Sequence, residues 1–306
     1  MNPTLQGYAA AVLSAGEDLS ALAADLASVD QAFRANRELR VALTDTSVPP
    51  RVRRAVLEDL LSGKVGERAR RAAAFAAASA SPPQIPAAMT WLAAQARRAA
   101  AGEVETEPPL GHSEARARVG GFAAALFEDL STAQLEEMED ELFRFARTVD
   151  ATPALRGALT DRDLPLAVRQ GVVDQLLSAK VQPATLRLVN FVLAGGRPRD
   201  TVGTLDWLVE QTARARGWRV ARVRSAQDLE AEQRDRLASS LTSMVGAPVE
   251  LQVTIDGTLL GGAVVEVGDL QLDASARGRL NHLREHLLTQ GWEDRGYGAA
   301  QREGVE

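Results

Sequence analysis

Three residues near the C-terminus have types and a spacing that could bind a metal ion. His282, Glu285 and His286 spell H-x-x-E-H, and histidines at i and i+4 share one helical face that can hold zinc beside a catalytic carboxylate. Three leucines already define the apolar face of the same predicted helix, and both histidines lie off it. The chain's only other histidine, His112, falls in a predicted linker. The pattern favours a solvated helix face, with a zinc hydrolase as the alternative.

Five arginines form a basic run that could contact nucleic acid or an acidic helix. They stand between Glu210 and Asp228, with no acidic residue among them: Arg214, Arg216, Arg219, Arg222 and Arg224. The whole chain has 35 basic and 41 acidic residues, a net charge of −6, which argues against unspecific nucleic-acid binding. We interpret the run as arginine stems covering apolar surface with their heads in water, and a contact with a partner helix is the next interpretation.

Other patterns of catalytic or cofactor sites are absent from the sequence. Gly261 and Gly262 lack the spacing of a phosphate-binding loop, and there is no G-x-S-x-G motif. The absence of cysteine excludes disulfides, thiolate metal sites and cysteine nucleophiles. We therefore predict no catalytic residue, no metal and no cofactor.

The first residues and the most apolar run do not indicate a membrane segment. The N-terminus has no basic residue before its apolar residues, so it lacks the charged region of a secretory signal. Residues 72–96 are mainly alanine and are interrupted by three prolines, which is not the pattern of a transmembrane helix. Contact with a membrane is expected only through partners.

The elements that position these residues are organised by an internal duplication. Residues 39–65 and 155–181 agree at 15 of 27 positions without a gap. The offset of 116 residues also pairs Phe75 with Phe191 and Trp91 with Trp207. Near the start the offset becomes 114, where GYAAAV at residues 7–12 matches GFAAAL at residues 121–126. The repeated unit has about one hundred residues, the size of a domain.

Each copy is predicted to be a six-helix bundle. In the second copy, residues 118–128 and 132–149 predict the first two helices. The second of these has a core stripe at spacings of 3 and 4: Leu135, Met138, Leu142, Phe145 and Val149. Its fourth helix has another apolar face: Val168, Val172, Val173, Leu176 and Leu177. A short third helix, a fifth helix with Leu186, Val189 and Leu193, and a sixth at 201–216 complete the bundle.

After Arg216 the periodicity changes to that of a mixed helix and strand domain. Residues 218–223 form an imperfect alternating pattern, and residues 230–245 return to helical spacing. Residues 249–255 alternate strictly, and two short strands at 263–267 and 270–272 flank Gly268 and Asp269, a hairpin signal. The fold class is therefore mainly α, with two six-helix bundles in tandem and a small α+β C-terminal domain.

The C-terminal part carries a family resemblance. The run LLGGAVVEVGDLQLDASARGRLNHLREHL at 259–287 resembles the signature of the ATP synthase delta subunit family, whose mitochondrial counterpart is the oligomycin-sensitivity-conferring protein. The pattern is GG, a strand, GD, and then D-x-S-x-x-x-[RK]-L. The residues that match it are Gly261, Gly262, Gly268, Asp269, Asp273, Ser275, Arg279 and Leu280. The usual family member has one helical domain, so the doubled domain resembles the actinobacterial forms.

The resemblance implies a connector without an active site or cofactor. In the family, the helical domain caps the catalytic head by binding N-terminal helices of alpha subunits in a groove between its first and fifth helices. The C-terminal domain binds the b-type peripheral stalk, so that the head does not turn with the rotor. The implied partners are the alpha and beta subunits and the b-type stalk, not nucleic acid. The implied location is the cytoplasmic face of the plasma membrane, as a peripheral protein.

Which copy binds the alpha subunit is predicted from apolar anchors. The second copy offers six candidates on its first and fifth helices: Phe122, Ala125, Leu126, Leu186, Val189 and Leu193. The first copy has Arg70, Ala73 and Ala77 where the second has the last three. Because a guest amphipathic helix needs apolar anchors, we predict that the second copy binds it.

The predicted domains follow from these boundaries. Residues 1–100 form the extra bundle, 101–113 a linker and 114–217 the bundle that binds alpha. Residues 218–290 form the stalk-binding α+β domain, and 291–306 a disordered tail. An unrelated helical scaffold, or a zinc hydrolase using His282, Glu285 and His286, are the alternative functions.

Overall fold

The computed structural model divides the chain into two compact units, Met1–Ala215 and Arg216–Glu306. The structure describes residues 1–15, 18–103, 111–161, 163–195, 200–246, 248–259, 261–267, 270–273 and 275. The described part is mainly helical, with one small sheet, as the sequence predicts. Among the described residues, no helix combines the length and the apolar character needed to cross a membrane.

The first half of the helical unit corresponds to the first copy of the repeat. Its described helices are α1 (Pro3–Ser14), α2 (Leu19–Ala35), α3 (Arg37–Thr44), α4 (Pro50–Leu61), α5 (Glu67–Ser79) and α6 (Ile85–Ala100), with a short 3-10 turn at Pro82–Gln84. Prolines begin α1 and α4, where the missing N–H costs nothing. Six alanines of α5 are buried, so this helix contributes to the core through close approach and not through large side chains.

The second half repeats this order. Its helices are α7 (His112–Phe127), α8 (Thr132–Ala151), α9 (Pro153–Thr160), α10 (Leu166–Leu177), α11 (Pro183–Gly195) and α12 (Thr201–Ala215). The predicted core stripe on α8 is buried along its whole length. Contacts repeat as well, because α2 packs on α6 and α5 on α4 in the first copy, as α8 packs on α12 and α11 on α10 in the second. Two separate bundles remain a prediction, since residues 1–215 cluster as one unit.

The helix α7 begins earlier than predicted. The sequence predicts a start at Arg118, with His112 and Ser113 in the linker, whereas the structure begins α7 at His112. The side chain of Glu114 accepts a hydrogen bond from the backbone N–H of Gly111 at 3.1 Å. This hydrogen bond spans the first turn and satisfies the backbone N–H group just before the helix. It stabilises a helix start six residues before the predicted start.

The second unit contains a four-stranded mixed sheet and one described helix. The elements are β1 (Arg219–Ser225), α13 (Ala231–Val245), β2 (Val249–Ile255), β3 (Ala263–Val267) and β4 (Leu270–Asp273). The sheet order is β2-β1-β3-β4, with β1 and β2 parallel and the other two pairs antiparallel. Because parallel strands need a crossover, α13 connects β1 to β2 and packs on β2 through buried Leu241. The predicted strands and the predicted β3–β4 hairpin are confirmed.

Candidate partner-binding surfaces

The first and fifth helices of each copy lie side by side, as the predicted groove requires. In the second copy, α7 contacts α11, and the rings of Phe122 and Phe191 stack with centroids 3.9 Å apart and planes at 14°. In the first copy, α1 contacts α5, and the rings of Tyr8 and Phe75 stack at 3.8 Å and 14°. The duplication therefore preserves this helix pair and the aromatic contact that joins it.

The predicted groove residues are not open to a guest in this conformation. Phe122, Ala125, Leu126, Val189 and Leu193 are each at most 7% exposed, and Leu186 is half-buried. The corresponding first-copy residues Ala73 and Ala77 are fully buried. The structure thus brings the six residues together on two adjacent helices but encloses five of them within the chain.

The helix that covers α7 is α1 of the first copy. These two helices form the most extensive helix–helix contact in the described part of the chain. A Cβ atom on Gly7 would lie 1.7 Å from the carbonyl oxygen of Arg118, and one on Gly121 would lie 1.8 Å from that of Thr4. In both cases the contacted carbonyl belongs to the residue three positions before the facing glycine. The two backbones therefore touch reciprocally, around an approximate local two-fold axis.

An arginine of each copy reaches across the α1–α7 contact to the other copy. Arg187 of α11 donates to the carbonyl oxygen of Ala11 at 3.2 Å and to Oγ of Ser14 at 3.1 Å, at the C-terminal end of α1. Arg71, its equivalent on α5, pairs with Asp129 just beyond the end of α7. A guanidinium near a helix C-terminus is favoured by the unpaired carbonyl groups there. Each copy thus places a fifth-helix arginine at the end of the other copy's first helix.

Tyr8 adds a partly buried polar link between the copies. Its hydroxyl donates to Oε2 of Glu128 at 2.7 Å, and Arg54 pairs with the other oxygen of that carboxylate at 2.6 Å. Burial, followed by the hydrogen bond to Glu128, raises the pKa of the Tyr8 phenol well above its ordinary value. Tyr8, Arg54 and Glu128 were not selected in the sequence analysis. The repeated glycine–aromatic pair in GYAAAV and GFAAAL was the available signal for this contact.

In the second unit, the structure describes four of the eight predicted signature residues. Gly261 and Gly262 precede β3 with φ angles of 153° and 77°, which side chains rarely adopt, so glycine is required there. Asp273 ends β4, and its Oδ1 accepts from the backbone N–H of buried Ser275 at 2.9 Å. Gly268, Asp269, Arg279 and Leu280 lie outside the described residues. The described part of the signature thus forms turns at the ends of β3 and β4.

Comparison with known proteins identifies the family. The sequence model described as "ATP synthase delta (OSCP) subunit" matches residues 120–287. The ATP synthase subunit delta of Nocardia farcinica is 36% identical over 82% of this chain and 83% of its own length. Those of Parafrankia sp. and Salinispora arenicola are 33% and 34% identical, over 87% and 89% of this chain and 86% and 91% of their own lengths. The chain belongs to the ATP synthase delta (OSCP) subunit family.

The next candidate in this delta-family chain is the possible zinc site near the C-terminus. His282, Glu285 and His286 lie outside the described residues, so the zinc alternative stays a prediction. Within the described ranges, no group of three His, Cys, Asp or Glu side chains could hold a metal ion.

The arginine run of this delta-family chain is largely engaged with acidic side chains. Arg214 lies 3.7 Å from Glu210, Arg216 pairs with Glu250, and Arg224 lies 3.6 Å from Asp256. The side chain of Arg216 is almost completely buried and its guanidinium lies over the ring of Trp218. The predicted position of the arginine heads in water is therefore wrong for Arg216, whereas the side chains of Arg214 and Arg224 are 47% and 50% exposed.

Proposed function

We propose that this chain is the stator connector of a rotary ATP synthase. It joins the catalytic head to the b-type peripheral stalk, so that the head does not turn with the rotor, and it catalyses no reaction itself. The observation that carries the proposal is the family match over residues 120–287, which runs in one stretch from within α7 through the rest of the second helical copy and the strands of the second unit. A connector needs two binding regions, and the division at Ala215 supplies two compact units.

We assign the helical unit to the head and the second unit to the stalk. The head partners are the alpha and beta subunits, and the stalk partner is the b-type subunit. No nucleic acid takes part. The chain is held at the cytoplasmic face of the plasma membrane through these partners and has no membrane contact of its own.

A reconstitution experiment tests the assignment. The full chain is expected to bind both the purified head and the purified stalk subunit, while a chain lacking residues 216–306 should bind the head alone. The division into compact units supports the expectation that residues 1–215 keep their helical signal. Equal stalk binding by the full and the shortened chain would contradict the assignment.

The groove between α7 and α11 stays a proposed site for an alpha-subunit helix. Because α1 covers it, a guest could use it only at the edge where Leu186 is half-buried, or after displacing α1. Val189 is fully buried, so a charged residue there would disrupt the core and test folding instead of binding.

Leu186→Glu is the sharper test of that groove, with Arg70→Glu at the equivalent position of the first copy as control. If a guest helix uses the groove edge, Leu186→Glu should weaken head binding about tenfold, because one apolar anchor is lost. Calorimetric titration of the head decides between the variants. Unchanged binding by Leu186→Glu would assign the head contact to another surface.

A further inference from the structure

The fourth helix of the second copy leaves part of its apolar face uncovered. Val173 and Leu177 are buried, whereas Val168 is 49% and Leu176 is 37% exposed. Val172, between the two exposed residues, is half-buried. Residues 168, 172 and 176 follow one another at intervals of four, so they form one stripe along α10. This stripe is apolar surface that the helical unit itself does not cover.

Beside this stripe lies an open groove. A cavity of about 220 Å³ lies between α8 and the C-terminal end of α10. Its apolar walls come from Phe145 on α8, from Leu176 and Leu177 on α10, and from Val181 just beyond. Polar and charged side chains complete the lining: Glu141, Arg144, Thr148 and Lys180. An apolar floor with a polar rim is the form of a site that takes one side chain of a partner.

The charge available at this rim is positive. Glu141 is buried, and its carboxylate accepts from the backbone N–H of Gln182 at 2.8 Å and from Oγ1 of Thr185 at 2.5 Å. That carboxylate is therefore committed to the start of α11. Arg144 and Lys180 are exposed, and neither forms an ion pair with a described residue. A ligand at this groove therefore meets two exposed cations and one buried carboxylate, a net positive charge.

We propose that this groove binds an amphipathic helix of a partner protein, which inserts one apolar side chain and sets acidic residues against Arg144 and Lys180. The proposal rests on the proposed function, in that the catalytic head supplies the helix. A groove between two helices suits an amphipathic helix, whose anchors at i and i+4 match the stripe along α10. Opposite charge at the rim fixes the orientation and speeds association.

A second copy of this chain is a poorer occupant than an acidic helix. In a symmetric pair the same surface meets itself, so Arg144 and Lys180 of one protomer would face the same cations of the other. Like charges brought together in this way oppose association.

The first copy of the repeat supplies a matched control surface. At the offset of 116 residues, Leu60 corresponds to Leu176 and Lys64 to Lys180, and Leu60 is exposed to the same degree, at 38%. Ser28 stands where the second copy has Arg144, and Val29 where it has Phe145. The first copy therefore keeps the exposed leucine and one cation but lacks the second cation and the aromatic wall. We assign the site to the second copy alone.

The affinity of the full chain for the purified head, free of stalk, tests this site. Leu176→Glu should weaken binding at least tenfold, while Leu60→Glu should change it less than twofold. The double variant Arg144→Glu/Lys180→Glu alters only exposed side chains, and it should weaken binding at least tenfold at low ionic strength and less at high salt. Far-UV circular dichroism and the melting temperature confirm that each variant is folded.

The outcomes separate this proposal from the proposed function. If the unchanged chain does not bind the head, both are overturned. If it binds, and the Leu176 variant and the double charge variant bind equally well, only the groove proposal is overturned. Equal losses from Leu60→Glu and Leu176→Glu would also overturn it, because the site would then not belong to the second copy.

A cross-link identifies the occupant. The chain has no cysteine, so Leu176→Cys introduces a single thiol that can carry a photoreactive maleimide. In the assembled complex of head, stalk and this chain, the expected product is a head peptide with an apolar residue flanked by acidic ones. A product with a second copy of this chain, with the stalk subunit, or with no protein at all would overturn the proposal.

Discussion

Gly7 and Gly121 allow α1 and α7 to approach until backbone touches backbone. Each glycine faces a carbonyl oxygen of the other helix at a distance that no Cβ atom could tolerate. Such close crossing lets the rest of both helices make continuous van der Waals contact, which is individually weak but large in sum. As a consequence, neither position can accept a side chain.

Replacing Gly121 by alanine should therefore destabilise the helical unit. The added methyl group would meet the Thr4 carbonyl, and overpacking of this kind costs about 1–3 kcal/mol. Gly171→Ala is the matched control, because a Cβ there meets nothing within 4 Å and alanine should stabilise α10 by about 0.5–1 kcal/mol. Urea unfolding followed by circular dichroism measures both. A stable Gly121→Ala variant would mean that the two helices cross less closely.

Because of the Tyr8 phenol, we expect the stability of the folded protein to depend on pH in the alkaline range. Its pKa is raised in the folded protein, by burial first and then by the hydrogen bond to Glu128. The folded state therefore favours the neutral phenol. The contribution to stability is complete below the unfolded pKa of about 10, and is lost as pH rises through and beyond that value.

Tyr8→Phe should remove this dependence. The unchanged chain should lose about 1.4 kcal/mol of unfolding free energy for each pH unit above about 10, and the variant should lose less. Phenylalanine is accommodated at the equivalent position 122 of the second copy. Unfolding curves between pH 8 and 11 provide the measurement. Identical slopes for the two proteins would show that Tyr8 titrates normally in the folded state.

At the scale of elements, each fifth helix is started by a carboxylate from the second helix of its own copy. Asp25 of α2 accepts from the backbone N–H of Gly66 at 2.7 Å, directly before α5. Glu141 of α8 accepts from the N–H of Gln182 at 2.8 Å, directly before α11. These acceptors satisfy N–H groups that have no partner within the helix, and the negative charge suits the helix N-terminus.

Glu141→Gln should cost more stability than Asp25→Asn. Glu141 is buried and accepts both from the backbone N–H of Gln182 and from the hydroxyl of Thr185, whereas a glutamine has only one acceptor oxygen and lacks the negative charge that suits the helix N-terminus, so the loss should be about 1–3 kcal/mol. Asp25 is half-buried, so water can compensate in part for the weaker acceptor. Chemical unfolding of the two variants gives the comparison. A larger loss from Asp25→Asn would contradict this role of burial.

The elements themselves could be predicted from local sequence, because periodicity reports burial. The stripe on α8 is buried as predicted, and β2 is a strand as predicted. The predicted alternation of buried and exposed residues in β2 is wrong, because only Val249 is buried and Ile255 is 63% exposed. Met244 shows the limit of this reasoning, since it continues the apolar spacing of α13 but is exposed. The covering of the α7 groove could not be predicted, because it depends on a contact between residues more than one hundred positions apart. Periodicity marks a residue as buried without saying which helix buries it.

At the scale of the helical unit, the two copies associate as two protomers of a symmetric dimer would. The glycine contacts, the aromatic stacks and the exchanged arginines all occur in equivalent pairs. An interface that uses the same patch on both sides is isologous, the commonest arrangement in dimers. The duplication has therefore placed both halves of one self-complementary interface in a single chain.

The isolated second copy, residues 111–215, should consequently form a homodimer through α7. Without α1, the apolar face around Gly121 and Phe122 is uncovered, and a second α7 offers the same glycine and a carbonyl in the same register. The charges also match, because Arg187 of one protomer would meet Asp129 of the other, as Arg71 meets Asp129 in the full chain. Sedimentation at several concentrations should show a monomer–dimer equilibrium, whereas the full chain should not use this surface to associate. Gly121→Leu should shift the fragment to monomer, because the leucine would separate the helices. A folded fragment that stays monomeric at every concentration would show that the contact needs differences between the copies, such as Tyr8 and its bond to Glu128, and not the shared glycine crossing alone.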